Sequence, residues 1–379
     1  MVTGNRWIEV YLDAIIHNYR VIRAQLKENV RFCAVVKADA YGLGAVRIAM
    51  LLQELEVDML AVTTVDEGLE LRKSGIRIPI LVMSPFLEDE AAIFLKHNLI
   101  PVVSYKEQLS WLAQACEQDG HLKIHLKLET GMHRSGIAER EIAEFLFDLE
   151  KYPQLQVSGL MTHLSKAHRN SRSMADQLKK YDELCQHFTF LDKDIIKHVG
   201  NSAVALEVPK AQYNMVRIGT LLYGQYPPNT KLKLELQNPW QGKARVIQRK
   251  SCPRGETIGY GDDFLAKQEL ELAVVPIGWA DGLGIRPQRA VTSWREAVKQ
   301  SLKIWQSFFK RERVRIEING RSYAQVGRLT MQMSIFQVDQ EVSVGQIANI
   351  PLSRLTASSR LPRIYIENQE VISRREVIS

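Results

Sequence analysis

The sequence predicts an α/β fold, a (β/α)8 TIM-type barrel followed by a smaller mainly-β domain. Eight short β-rich apolar runs alternate with helical stretches through the first part of the chain, the rhythm of a parallel barrel. Past about Lys231 the strand-like runs follow one another without regular helices between them. A chain of 379 residues also exceeds the roughly 250–300 that one core holds, so two domains are expected.

The extended segment at residues 7–12 precedes the first helical stretch, and residues 1–12 are expected to add a strand to the β-domain's sheet. Barrel strands are placed at 32–36, 59–62, 79–83, 100–103, 122–128, 157–161, 195–200 and 215–219, within a domain spanning 13–233. The stretch from Asp66 to Lys73 has helical patterning, and Ser74-Gly75 closes it, Gly being a normal residue just past a helix end. A doubly wound open sheet would alternate in the same way; the strand count favours the barrel. The β-domain, 234–379, carries strand-like runs at 244–250, 271–277, 313–318, 334–339 and 347–351. Near 293–312 a helix interrupts it: Trp294, Val298, Leu302, Trp305 and Phe309 recur every three or four residues. That stripe is expected to pack on the β-domain, the alternative being a partner-binding or lid helix.

Composition narrows the function classes. Hydrophobic residues make up 45% and charged residues 25%, an ordinary globular balance. No run approaches the roughly 20 apolar residues of a membrane span, and no signal-peptide pattern opens the chain, so a cytoplasmic protein without a membrane partner is expected. Cys33, Cys116, Cys185 and Cys252 show no CxxC pair and no His at ligand spacing, which argues against a disulfide framework and a metal site. The net charge of +7 lacks the aromatic interleaving or recognised module of a nucleic-acid binder. It suits a solvated face or an attraction for anionic ligands.

One lysine stands out. Lys37 closes the first barrel run, at the C-terminal mouth where barrel active sites are built. A strand-end lysine is ordinarily a solvated cap. Here Asp39-Ala40-Tyr41-Gly42-Leu43-Gly44 follows, with two glycines that let backbone approach a ligand and a tyrosine hydroxyl to donate.

The run VVKADAYGLG resembles the lysine signature of the alanine racemase family, the fold-type III pyridoxal-phosphate enzymes. The segment from His125 to Gly136, HLKLETGMHRSG, is similar to a second family segment. Further similarity lies at Thr162-His163, Gly200-Asn201-Ser202-Ala203, Met215-Val216-Arg217-Ile218-Gly219, Gly259-Tyr260-Gly261 and Gly327-Arg328, all in the family's order. The resemblance implies pyridoxal 5'-phosphate as cofactor, a small amino acid as substrate, and a homodimer with shared active sites. It implies L- and D-alanine interconversion for D-alanine supply. Lys37 would hold the cofactor as a Schiff base and serve as base on one face of Cα, with Tyr260 of a second copy serving the other. Arg217 would face the pyridine nitrogen, oriented by the hydrogen bond it donates to His163. Tyr41, Ser202 and the backbone amides of Gly219 and Thr220 would hold the phosphate, a role suited to a helix start, and Asn201 is expected among the cofactor-binding residues. Arg134 would meet the cofactor's phenolic oxygen and the substrate carboxylate, held by Lys127, the family's often carbamylated lysine. The Met331 amide would take the same carboxylate.

Four departures from the family pattern stand near its substrate-facing residues. Gln332 replaces an aspartate, Trp279 a tyrosine and Ser359 the tyrosine that often supports the phosphate, and the connection from Trp279 to Arg328 is long. They leave room for a racemase of another small amino acid such as serine, or for a pyridoxal-phosphate-binding pseudoenzyme or regulatory homologue. A single-barrel cofactor carrier would lack the β-domain and its tyrosine.

Overall fold

The computed structural model describes residues 4–116, 120–165, 172–191, 194–227, 230–285, 291, 293–310 and 313–375. The chain divides into two compact units, Leu12–Pro239 and a second made of Met1–Tyr11 with Trp240–Ser379. The N-terminal strand β1 (Arg6–Tyr11) belongs to the second unit.

Unit Leu12–Pro239 holds eight parallel strands: β2 (Arg31–Val35), β3 (Met59–Val62), β4 (Ile80–Val82), β5 (Ile100–Val103), β6 (Leu122–Lys127), β7 (Leu155–Met161), β8 (Ile196–His198) and β9 (Met215–Ile218). Their order is β8-β7-β6-β5-β4-β3-β2-β9, each strand beside the one before it in sequence except β9, which returns to β2. Two backbone bonds draw β8 and β9 together and nearly close the barrel: Asn214 N–H to Lys197 O at 3.1 Å and Arg217 N–H to Gly200 O at 3.0 Å. Inward side chains fill the centre, among them Cys33, Met59, Ala61, Leu81, Val102, Met161 and Met215. This is the packed interior of a parallel barrel, with strands buried on both faces as their unbroken apolar runs require. A free, fully buried Cys33 behaves here as a small hydrophobe.

One helix start bears on function. Thr64 caps the helix Val65–Lys73 in a reciprocal capping box with Glu67. The other oxygen of Glu67 reaches across to accept the Ala38 amide at 2.6 Å. A local helix signal thereby ties down the segment that carries Lys37.

The second unit is built on a ten-stranded sheet. Beyond β1 it contains β10 (Trp240–Arg245), β11 (Gln248–Cys252), β12 (Leu270–Val275), β13 (Arg315–Ile318), β14 (Arg321–Val326), β15 (Ser334–Val338), β16 (Ile347–Ile350), β17 (Arg363–Glu367) and β18 (Glu370–Arg375). The order is β11-β12-β15-β14-β13-β16-β10-β1-β17-β18, with β1 antiparallel to β10 and parallel to β17. Val246, Val275, Ile316, Phe336 and Ile350 are among its core residues.

The single run expected at 244–250 is two strands. Trp240–Arg245 pairs with β1 and β16, and Gln248–Cys252 turns away to pair with β12. Strands β14, β17 and β18 went unread, because their sequences mix charged residues into the alternation. The turn into β14 is nonetheless explicit: Asn319 (φ 51°) and Gly320 (φ 76°) form the positive-φ pair that suits a tight hairpin. A helix does span Trp294–Lys310, but its stripe does not pack on the β-domain. Trp294, Val298, Leu302 and Trp305 are 73%, 50%, 56% and 69% exposed. Periodicity shows which face of a helix is apolar; it says nothing of what covers that face. The Phe309 side chain lies outside the described residues.

Candidate active site

Lys37 follows directly on β2, and the backbone after it is unusual. Ala38, Asp39, Ala40 and Tyr41 all have φ between 50° and 56° and ψ between 35° and 52°, one turn of left-handed helix made from residues with a Cβ. Each such residue costs about 1–2 kcal/mol, so the turn persists because its surroundings hold it. Ala40 N–H bonds Val36 O at 2.8 Å, Gly44 N–H bonds Asp39 O at 2.9 Å, and Asp39 Oδ1 accepts the Ala45 amide at 2.8 Å. The turn places Lys37 and Tyr41 side by side on one cavity of about 210 Å³, with His163, Asn201, Ser202, Arg217, Gly219 and Thr220.

At the far wall a glycine leaves room for a neighbouring side chain. A Cβ on Gly219 would sit 2.4 Å from the Tyr41 hydroxyl, so that hydroxyl lies directly over the β9 terminus. The Tyr41 ring rests on Tyr223, centroids 5.0 Å apart, and burial pushes its phenol up to about 12, leaving it a neutral donor. Asn201 caps the short helix Ser202–Glu207 through Val204 N–H, and Ser202 Oγ accepts the Gly219 amide at 2.9 Å. Tyr41, Ser202, Gly219 and Thr220 therefore converge where a phosphate would find hydroxyl and amide donors, though Gly219 N–H must turn from Ser202 to serve it.

Arg217, on β9, is 3% exposed. Nη1 donates to His198 Nδ1 and His198 O, both at 2.9 Å, and Nη2 donates to Thr162 O at 2.8 Å and Val199 O at 3.2 Å. Burial lowers its pKa to about 10, which keeps it charged at neutral pH. The ring bonded to Arg217 is thus His198 and not His163. His163 instead lines the cavity, held neutral by burial and by the charges of Arg217, Arg134, Lys127 and Lys37, its pKa near 3.

A second buried histidine continues the line. His198 Nε2 lies 2.9 Å from His125 Nδ1, and both rings are fully buried. Proton bookkeeping fixes the tautomers. A guanidinium only donates, so His198 accepts at Nδ1 and carries its proton on Nε2; that proton goes to His125 Nδ1. His125 must then carry its own proton on Nε2, an atom with no partner. Burial and Arg217 lower both pKa values, so neither ring competes for a charge. The His125 ring is seated over Gly159, where a Cβ would meet it at 2.6 Å.

A neighbouring cavity of about 260 Å³ shares Lys37 and His163 and adds Lys127, Arg134 and Ser135. Arg134 rides on a loop after β6 that Glu129 organises by accepting the Met132 amide at 2.7 Å and the Gly131 amide. Lys127 donates to Ser135 Oγ. Burial, then Arg134 and Arg217, bring its pKa down to about 8, while Glu129 opposes. The Lys37 amine is lowered by burial and by Arg134 against Glu67. Four cationic side chains and one neutral imidazole around two joined cavities make a site for an anion.

The second unit presents Tyr260 on a turn flanked by Gly259 (φ 85°) and Gly261 (φ 70°), 74% exposed. The turn is pinned by Thr257 Oγ1 to Asp262 Oδ1 at 2.8 Å and by an Arg328–Asp263 ion pair. Met331, 56% exposed, is fixed through its carbonyl, which accepts the Ala280 amide at 3.0 Å. Gly278 allows that approach: a Cβ there would lie 2.1 Å from Thr330 O. Trp279 and Gln332 are exposed on the same loops, and Ser359 O accepts from Arg363 at 2.8 Å. Among the described residues no His, Cys, Asp and Glu group could hold a metal ion, and no helix is long and apolar enough to cross a membrane.

Sequence reasoning missed His198 and the part His125 plays beside it. Both alternate inward on strands whose neighbours are apolar, so each reads as a core residue.

Two family models match the chain: "Alanine racemase, N-terminal domain" over residues 10–227 and "Alanine racemase, C-terminal domain" over residues 240–360. It is 35% identical over 288 residues to the alanine racemase of Synechocystis sp., covering 75% of this chain and 77% of that one. The alanine racemase of Clostridium novyi is 30% identical over 406 residues, 98% of both chains. Among solved structures, an alanine racemase from Clostridium difficile 630 superposes with a TM-score of 0.87 at 28% identity over 99% of both chains. One from Bacillus anthracis with bound L-Ala-P gives 0.82 at 27%, over 99% of this chain and 98% of that one.

Proposed function

Since the chain belongs to the alanine racemase family, we propose that it interconverts L- and D-alanine with pyridoxal 5'-phosphate bound in the barrel cavity. The observation that carries the reading is the left-handed turn after β2, which sets Lys37 and Tyr41 on one cavity opposite Gly219 and Arg217. The donor set fits the group. Hydroxyls and amides meet where the phosphate would sit, Gly219 leaves space beside the Tyr41 hydroxyl, and Arg217, fixed by its four hydrogen bonds, would be the cation facing the ring nitrogen.

When bound, the cofactor holds the substrate amine covalently and withdraws electrons from Cα, acidifying its proton. The chain's residues do the rest. Arg217 can only donate, so a ring nitrogen held against it would stay unprotonated and electron withdrawal would be moderate. Lys37, whose charged form burial and Arg134 disfavour, would take or return the Cα proton on one face. Tyr260 of a second copy would serve the other face; its exposure on a rigid glycine turn suits a residue offered to a partner. Arg134 would orient the substrate carboxylate, and the Met331 amide would take the same group. Asn201 holds the helix start beside the phosphate site. The enzyme would act in the cytoplasm as a homodimer with shared sites.

Borohydride reduction of the yellow protein, followed by peptide mapping, tests the assignment. The label is expected on Lys37, and alanine racemisation is expected to vanish with it. A label on another lysine would remove the proposal. Serine offered in parallel separates alanine from the wider substrate readings that Gln332 and Trp279 leave open.

A further inference from the structure

The helix Trp294–Lys310 is inserted in the β-domain between the Gly278–Gly282 turn and β13, and its apolar stripe faces outward. Steps of four, four and three link Trp294, Val298, Leu302 and Trp305, so they share one face, and each is at least half exposed. Arg295 and Lys299, one position further round, are exposed too. Across residues 293–313 the sequence places Arg295, Lys299, Lys303, Lys310, Arg311 and Arg313 against only Glu296 and Glu312. At about 1.5 Å per residue the helix is about 25 Å long, with a tryptophan near its start and another two thirds along.

We propose that this helix is an interfacial anchor, lying in the plane of an anionic lipid surface with Trp294, Val298, Leu302 and Trp305 below the headgroups and Arg295 and Lys299 at the phosphates. A strongly amphipathic helix with large apolar residues on one face and lysine and arginine on the other is the form that lies on a bilayer. Indole rings favour the headgroup boundary, where one edge is apolar and the other wet. The charge decides between occupants. A second copy of this chain would bring the same positive helix to the contact and repel it, whereas an anionic bilayer complements it. The helix is too polar to cross, which agrees with the absence of a spanning helix among the described residues. The expectation of no membrane partner rested on the missing span and the missing signal-peptide pattern, and a helix lying on a surface needs neither.

The test is flotation of the full-length, cofactor-loaded protein with phosphatidylcholine vesicles, either alone or carrying ~30% phosphatidylglycerol. Binding is expected on the anionic vesicles only, falling as salt is raised. The double variant Trp294→Ser/Trp305→Ser and the single variant Lys299→Glu are each expected to weaken it by roughly tenfold or more, with alanine turnover in solution unchanged. Equal binding to both vesicle types, no binding, or binding that survives both variants would overturn the proposal. So would self-association in sedimentation that disappears with Trp294→Ser/Trp305→Ser, because the stripe would then belong to a second copy.

Discussion

Replacing Gly219 by alanine probes the cofactor cradle at its tightest point. The new Cβ would stand 2.4 Å from the Tyr41 hydroxyl and 3.1 Å from Cζ. Ordinary contact begins near 3.4–3.5 Å, so the hydroxyl must retreat by about 1 Å. The Tyr41 ring has little room to do so, because it stacks on Tyr223 and its backbone is locked in the left-handed turn. Overpacking of this kind costs about 1–3 kcal/mol. If that falls on the cofactor-competent geometry, the dissociation constant rises by roughly 5- to 150-fold. Equilibrium dialysis followed by cofactor absorbance measures it. Tyr41→Phe removes the 2.4 Å contact and leaves the milder one at 3.1 Å, so the double variant is expected to lose less affinity than the two single losses added together. Unchanged affinity in Gly219→Ala, or strictly additive losses, would refute the assignment of this wall to the phosphate.

Other outcomes follow from the same geometry. Arg217→Ala takes a donor from four buried acceptors, only one of which, His198 O, keeps another in the Thr162 amide, and is expected to cost about 3–5 kcal/mol in denaturant unfolding, with His198 losing its fixed tautomer. His125→Asn keeps an acceptor for the His198 proton and is expected to preserve the absorbance spectrum of the bound cofactor. His125→Leu is expected to perturb that spectrum while costing little stability, since it also removes an unpartnered buried N–H. Lys127, with a pKa of about 8, has a neutral amine fraction near neutral pH able to take up carbon dioxide, so activity of degassed enzyme is expected to rise with added bicarbonate and that of Lys127→Arg not to respond. The sign of its effect on stability is also fixed. The folded state disfavours the charged amine, so an unmodified Lys127 destabilises below pH 8, and the penalty is relieved between pH 8 and the ordinary value of 10.5. Bicarbonate-free wild type is therefore expected to gain stability across that window relative to Lys127→Met. Tyr260→Phe is expected to leave the melting temperature of the protein unchanged, its side chain being 74% exposed, while alanine racemisation falls by at least a hundredfold, a loss typical of a missing acid–base group.

Much of the barrel was legible because parallel strands buried on both faces must read as short apolar runs, and β2 to β9 do. Lys37, Tyr41 and Gly219 were legible through glycine-marked turns, where backbone geometry restricts the residue type. The left-handed turn itself was not, since Ala38, Asp39 and Ala40 have no intrinsic preference for it; Glu67, from another helix, imposes it. His198 was hidden for a related reason: a histidine facing inward shows its partner only when β8 and β9 are brought together. In the β-domain, polar alternation concealed β14, β17 and β18. The exposed stripe of Trp294–Lys310 was seen as a stripe, but coverage depends on neighbours that periodicity does not specify.

The most direct test of the central claim is incubation of L-alanine with the wild-type protein in deuterium oxide, following Cα deuteration and enantiomer composition together. D-alanine is expected to accumulate to parity with L-alanine, and the D-alanine formed from L-alanine to carry deuterium at Cα. Bound cofactor with neither exchange nor D-alanine would contradict it.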